Sequence, residues 1–175
     1  MAAELKTITI LGAGGKMGMR ISANFQKSDY RVFYCENAPR AREQVTAAGR
    51  ELSSAESAIP ESDVVILAVP DIALEAVSGQ VVPQMRSSAI LLTLDPAAAY
   101  ANLIARRDDI DYAVAHPCHP SVFLERFTPE EHADAFGGVA APQHVVASYE
   151  AGSGGQREAL ARVIETMYGP VLEVH

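Results

Sequence analysis

A glycine-rich loop near the N-terminus has the residue types that phosphate binding requires. It follows a short apolar run at 7–11 and opens a helical pattern at Lys16. Glycines let the backbone approach a diphosphate closely, and a helix N-terminus directs N–H groups at it, so a side chain at Gly14 should obstruct the phosphates. The spacing fits GxxGxxG or GxGxxxG rather than GxGxxG, but the strand–loop–helix context favours dinucleotide binding over a plain turn. The candidate residues are Gly12, Gly14, Gly15, Lys16, Met17 and Gly18.

An acidic residue is placed where it could select the cofactor. Glu36 ends the second predicted strand, eighteen residues beyond Gly18. A carboxylate there can accept hydrogen bonds from the adenosine ribose and would repel a 2′-phosphate, which favours NAD over NADP. Arg40 and Arg42 follow closely and could serve a 2′-phosphate if Glu36 turned away, although ordinary surface charge explains them more simply.

Two later strands end in residues that should reach the same cofactor. Val69, Pro70 and Asp71 follow the strongest apolar run, and Asp95 follows the next strand. Ligands of open α/β sheets bind outside the carboxyl ends of the strands, so these residues are expected to flank the nicotinamide half. Asp71 and Asp95 are also expected to cap the helices that follow them.

A histidine-rich turn ends the sixth apolar run, with His116, Cys118 and His119 separated by prolines. A histidine can remove a hydroxyl proton as hydride leaves the same carbon, or hold a substrate carboxylate. Histidine and cysteine also ligate zinc, but adjacent ligands separated by prolines chelate poorly and no second cluster matches them. A rigid loop without chemistry is the third interpretation. We favour His116 and His119 as catalytic residues and expect no metal.

The elements that must position these residues alternate between strand and helix. Helices are predicted to begin near Lys16, Pro39, Asp71, Asp95 and Gln156. Strands are predicted at 7–11, 31–35, around 51–52, 64–69, 89–94, 111–115, 144–149 and 171–174. This order predicts an α/β, Rossmann-type doubly wound fold with a mainly parallel sheet and helices on both faces, formed by residues 1–175 as one domain.

Composition narrows the function classes. The chain has 175 residues, 49% of them hydrophobic, and a formal net charge of −8. That sign disfavours nucleic acid as a partner but allows an anionic small molecule in a local cationic pocket, for which Arg126 is the nearest candidate clamp. No apolar run approaches the roughly 18 residues of a membrane helix. With two cysteines and no signal-peptide pattern, we expect a cytoplasmic protein.

Three motifs together resemble the N-terminal part of the D-apionate oxidoisomerase-like family, in the 6-phosphogluconate and β-hydroxyacid dehydrogenase superfamily. They are Gly12–Gly18, Asp63–Asp71 and His116–Pro120. The glycine loop alone is shared with prephenate dehydrogenases and dihydrodipicolinate reductases. The histidine–proline turn, with Phe123 and Gly137–Gly138 after it, is more specific. The resemblance covers essentially the whole chain.

The resemblance implies an NAD-binding domain of an enzyme that oxidises a hydroxylated sugar acid, with His116 and His119 beside the substrate. It also implies that an all-helical C-terminal domain, which completes the pocket and forms a homodimer in relatives, is absent from this chain. The isolated domain could then be inactive. Two alternatives stay open: a prephenate-type dehydrogenase, and a non-catalytic module that senses NAD(H).

Overall fold

A seven-stranded sheet forms the centre of the protein in a computed structural model, which describes residues 4–118, 125–134, 140, 143–150, 156–169 and 171–174. The strands are β1 Thr7–Leu11, β2 Arg31–Cys35, β3 Val64–Leu67, β4 Ile90–Thr93, β5 Asp111–Pro117, β6 Gln143–Glu150 and β7 Val171–Val174. The helices are α1 Lys16–Phe25, α2 Pro39–Ala47, α3 Ala55–Ala58, α4 Leu74–Val81, α5 Ala97–Tyr100, α6 Pro129–Ala133 and α7 Arg157–Tyr168.

The strand order is β2-β1-β3-β4-β5-β6-β7, and the first five of these strands are parallel. The chain adds β2 on one side of β1 and β3 on the other, so a topological switch point lies between β1 and β3. Parallel strands direct their carboxyl ends to one edge of a sheet. The loops after β1, β3, β4 and β5 therefore meet there, as the sequence predicts.

Apolar packing covers both faces of the sheet. On one face Ile8 and Ile10 pack against Ile21 and Phe25 of α1 and against α7. On the other face, buried residues of β3 and β4 pack against α4 and α5. The strands β3 and β4 are buried along their whole length, because helices cover both of their faces. The predicted Rossmann-type fold with helices on both faces is confirmed.

Two local predictions were wrong. Residues 51–52 do not form a strand, since Leu52 makes only an isolated bridge to Tyr34. β6 runs antiparallel to β5, which a mainly parallel sheet allows; its direction was not predicted, because apolar periodicity carries no information on strand direction. Asp71 caps no helix: it begins a 3-10 turn, and α4 starts only at Leu74.

The opposite, amino edge of the sheet is fixed by a carboxylate. Asp63 precedes β3, and its Oδ2 accepts hydrogen bonds from the backbone N–H groups of Lys6, at 2.7 Å, and Thr7, at 2.8 Å. Arg86 forms an ion pair with Oδ1 of the same side chain. Asp63 therefore sets the register of β1 against β3 and lies at the opposite edge of the sheet from the predicted site residues.

Within the described part of the chain, no helix has the length and apolar character needed to span a membrane.

Candidate functional site

A cleft of about 400 Å³ lies at the carboxyl edge of the sheet, at the predicted place. Four separate stretches of the chain contribute to it: the start of α1 and the ends of β3, β4 and β5. Its lining includes Gly15, Lys16, Met17, Arg20, Val69, Pro70, Asp71, Leu94, Asp95 and His116. The structure thus brings together most of the residues that the sequence singled out, although they are far apart along the chain.

The glycine loop is held tightly against the ends of β2 and β3. The N–H groups of Gly12 and Ala13 donate to the carbonyl oxygen of Cys35, at 3.0 and 3.1 Å. Gly12 has a φ of +82°, and a Cβ there would lie 2.5 Å from the carbonyl oxygen of Ala68. A Cβ at Gly18 would lie 2.0 Å from the carbonyl oxygen of Gly12. These two glycines therefore let the loop and α1 pack closely onto the strands.

The structure requires glycine at position 14 for a different reason from the predicted contact with the phosphates. A Cβ at this position would lie 2.3 Å from the carbonyl oxygen of Ala41, in α2, rather than in the cleft. The clash that a side chain at Gly14 would cause is therefore with the second helix. Gly12, Gly14 and Gly18 allow close packing of the loop against neighbouring backbone atoms outside the cleft. Of these four glycines, Gly15 is the one that lines the cleft.

The N-terminus of α1 is open to a ligand. Gly15 is its N-cap residue, and among the described residues no side chain caps this end. Helix geometry leaves the N–H groups of Met17 and Gly18 without an intrahelical acceptor, and the helix dipole adds a partial positive charge there. Both properties fit an anionic group such as a diphosphate.

Glu36 lies against the glycine loop, just after β2. Its Oε2 accepts a hydrogen bond from the Gly14 N–H, at 3.0 Å, and its Oε1 accepts from the N–H groups of Asn37 and Ala38, at 2.8 and 3.0 Å. A carboxylate has about four lone-pair sites, so these three bonds leave capacity for a ribose hydroxyl. The arrangement fixes the carboxylate beside the loop but outside the cleft lining.

His116 lies near the end of β5, at the cleft, and one of its ring nitrogens is hydrogen-bonded within the protein. Its Nδ1 lies 3.0 Å from the carbonyl oxygen of Leu94. A carbonyl can only accept, so Nδ1 carries the hydrogen and the neutral ring has its lone pair on Nε2. His116 is exposed, which leaves Nε2 available as a proton acceptor. His119, the other predicted catalytic residue, lies outside the described residues, as do Phe123 and Gly137–Gly138 of the family motif.

The two acidic residues of the cleft differ in their partners. Asp95 Oδ1 accepts a hydrogen bond from the N–H of Ala97, the first residue of α5, at 2.7 Å, as a capping carboxylate would, although Pro96 occupies the N-cap position. Asp71 is exposed at the cleft entrance. Next to it, Ile72 is also almost fully exposed. The rim after β3 thus combines a carboxylate with an apolar side chain.

One charged residue of the cleft lining was not predicted from the sequence. Arg20 lies one helical turn after Lys16, on the cleft side of α1. The nearest predicted clamp, Arg126, instead donates from Nη1 to the carbonyl oxygen of His132 at 3.4 Å and does not line the cleft. The i, i+4 spacing of Lys16 and Arg20 was the available signal, because it places two cations on one side of the helix.

A larger cavity, of about 820 Å³, lies at the amino edge of the sheet and includes Lys6, Tyr30 and Arg31. It is less suited to a dinucleotide, because the N-terminus of α1 and the glycine loop are at the other edge.

Near the glycine loop, burial raises the pKa of the Cys35 thiol to about 11, so this buried side chain stays protonated. Cys35 thus acts there as an apolar side chain rather than a nucleophile.

Two sequence models of protein families match the chain. One, described as NADP oxidoreductase, coenzyme F420-dependent, matches residues 7–96. The other, described as the C-terminal part of phosphogluconate dehydrogenase (decarboxylating), matches residues 124–175. The first match covers β1 to β4, including the glycine loop and Glu36.

Two curated proteins and one solved structure are closely similar to this chain. The D-apionate oxidoisomerase of Pectobacterium atrosepticum is 85% identical over all 175 residues, which span 61% of its length. That of Cupriavidus necator is 40% identical over 94% of this chain and 60% of its own. A semialdehyde dehydrogenase NAD-binding protein from C. necator, solved with calcium and NAD, is 38% identical, with a TM-score of 0.92 over 97% of this chain and 62% of its own. The predicted resemblance to D-apionate oxidoisomerases is confirmed.

Proposed function

The chain belongs to the family described as NADP oxidoreductase, coenzyme F420-dependent, and on that premise we propose that it is the cofactor-binding part of an NAD-dependent dehydrogenase for a hydroxylated sugar acid. The observation that carries the proposal is the cleft itself. It unites an uncapped helix N-terminus, a glycine that faces the ligand and a histidine with an available Nε2. The names of the curated relatives support D-apionate as the substrate to test first.

The residues present fit a nicotinamide dinucleotide. Gly15 and the first turn of α1 would hold the diphosphate, and Glu36 would face the adenosine ribose. Val69, Pro70, Asp71 and Asp95 would flank the other half of the cofactor. When bound, the nicotinamide supplies an acceptor for hydride. The side chains of the protein would bind the substrate and remove its hydroxyl proton.

His116 is proposed as the general base. Its Nδ1–H is held by the Leu94 carbonyl oxygen at 3.0 Å, which fixes the ring and directs Nε2 away from that bond. Nε2 would take the proton of the substrate hydroxyl, and the ring would become a cation still bonded to Leu94. His119 is proposed as a second residue beside the substrate, on the basis of the motif alone. The helical domain and the homodimer that the resemblance implies likewise stay predictions, and so does the cytoplasmic location.

We expect the protein to prefer NADH to NADPH, and we expect Glu36→Gln to weaken that preference by about tenfold. The carboxylate repels the 2′-phosphate of NADPH, and glutamine removes that repulsion while keeping an acceptor for Gly14. Fluorescence titration with both nucleotides measures the ratio of dissociation constants. Glu43→Gln, at an exposed position of α2, is the matched control. An unchanged ratio in the Glu36 variant would mean that another group selects the cofactor.

The proposal is tested by adding NAD and D-apionate to the protein and following NADH formation. Because the chain spans 61% of the length of the Pectobacterium relative, the assay also uses a chimera in which the remainder of that relative follows residue 175. We expect turnover at least in the chimera. Prephenate is the comparison substrate. Faster turnover of prephenate would favour the prephenate-type reaction, and NADH binding with no turnover of either compound would favour a sensor.

A further inference from the structure

We propose that Arg20 binds the carboxylate of the substrate in the cleft. The inference rests on the proposed function, and it adds the residue that recognises the negative charge of a sugar acid. Arg20 belongs to α1, the helix whose first turn would hold the cofactor diphosphate, but it lies one turn further along. The same helix would thus bind the cofactor at its beginning and the substrate at its second turn.

One guanidinium nitrogen of Arg20 has only a weak partner among the described residues. Its side chain is only 19% exposed, and Nη2 is fully buried with no hydrogen-bond acceptor among the described residues. The carboxylate of Asp134 has Oδ1 at 3.6 Å from Nη2, which is an ion pair but too long for a good hydrogen bond. A guanidinium has five N–H donors, and native structures rarely leave such buried donors unsatisfied. Arg20 lines the cleft through the part of its side chain that stays exposed, and a ligand carboxylate in the cleft would accept hydrogen bonds from the guanidinium on that side.

Arg20 also shares the cleft with the proposed base. Tyr168 in α7 donates its hydroxyl hydrogen to the carbonyl oxygen of Ala115 at 2.8 Å, one residue before His116. Burial raises the pKa of Tyr168, and the positive charge of Arg20 partly opposes that rise. Arg20 and His116 both line the cleft. A hydroxy acid whose carboxylate lies on Arg20 could therefore present its hydroxyl towards His116.

The competing explanation is that Arg20 only holds Asp134 and the segment after α6. Asp134 already accepts a hydrogen bond from the Ala140 N–H at 3.0 Å through its other oxygen, Oδ2. Asp134 is therefore held to Ala140 by a contact that does not involve Arg20. If the ion pair were the whole role of Arg20, removing Asp134 would reproduce every effect of removing Arg20.

Three variants of the 175-residue protein separate these roles: Arg20→Met, Arg20→Lys and Asp134→Asn. Calorimetry first measures NADH binding, and then the binding of D-apionate and of its neutral amide to the NADH-saturated protein. We expect Arg20→Met to bind D-apionate about 10- to 100-fold more weakly than the wild type, with the amide changed by less than about threefold. Arg20→Lys should recover part of the loss, because it keeps the charge without the fork. Asp134→Asn should leave D-apionate affinity within about threefold, because Asp134 is not part of the cleft lining.

Each result bears on one of the two proposals. Failure of the wild type to bind NADH would overturn the proposed function, and the inference with it. If NADH binds but D-apionate does not bind the wild type, or binds Arg20→Met equally well, only the inference is overturned. It is also overturned if Asp134→Asn weakens D-apionate as much as Arg20→Met does, or if acid and amide lose affinity alike. Urea unfolding of each variant identifies any loss caused by misfolding, in which case Arg20→Lys alone decides through its ratio of acid to amide affinity.

Discussion

Replacement of His116 by glutamine is expected to lower the turnover of D-apionate by about 10²- to 10⁴-fold, the usual contribution of a general base. The amide of glutamine can still donate to the Leu94 carbonyl oxygen, which lies 3.0 Å from Nδ1 in the native side chain. It cannot take a proton at neutral pH. NADH affinity should stay within about twofold, since the substitution removes chemistry rather than a cofactor contact.

The matched control for His116 is the same substitution at His132, an exposed histidine of α6 that does not line the cleft. Both variants are assayed in the chimera, with NADH formation as the readout. A His116→Gln protein that kept half of the wild-type turnover would show that another group removes the proton. His119 would then be the first residue to replace.

Gly18→Ala is expected to have the largest effect on folding. The added Cβ would lie 2.0 Å from the carbonyl oxygen of Gly12 and 2.8 Å from the backbone of Ala13. These are backbone atoms of the glycine loop just after β1, so they cannot move aside as a flexible side chain would. We expect the free energy of unfolding to fall by about 3 kcal/mol, at the upper end for overpacking. NADH affinity should fall by at least about tenfold, because α1 must move away from the loop.

Gly79→Ala is the control for Gly18→Ala, since both replace a helical glycine. A Cβ at Gly79 in α4 would meet nothing within 4 Å. Alanine should therefore stabilise the protein by about 0.5–1 kcal/mol through helix propensity. Urea unfolding gives both values. If Gly18→Ala were as stable as the wild type, the close packing of α1 on the glycine loop would be wrong.

The part of the site that the sequence predicted depends on one topological rule. Once the apolar runs are assigned to parallel strands, the residues that follow them must share an edge, so Val69, Asp95 and His116 could be placed together. Gly15 and Met17 followed from the loop that opens α1. None of these assignments required knowledge of a side-chain contact.

The rest of the site depends on tertiary packing. Gly14 is a glycine because α2 crosses behind the loop and brings the Ala41 carbonyl oxygen to it, and no local pattern encodes that approach. Arg20 looks like ordinary helix-surface charge until Asp134, far along the chain, comes within 3.6 Å of it. The direction of β6 could not be predicted for a similar reason, since both orientations of a strand have the same alternation of side chains.

The central claim is that the opening turn of α1 holds a dinucleotide diphosphate, and amide NMR during titration with NAD tests it most directly. Backbone resonances of Gly15, Met17 and Gly18 should shift together with those of Glu36 and Val69, saturating at one ligand per chain. Lys6, Tyr30 and Arg31 line the larger cavity at the amino edge, and their backbone resonances should not shift. Shifts confined to that second group, or no shifts with NAD at millimolar concentration, would contradict the account.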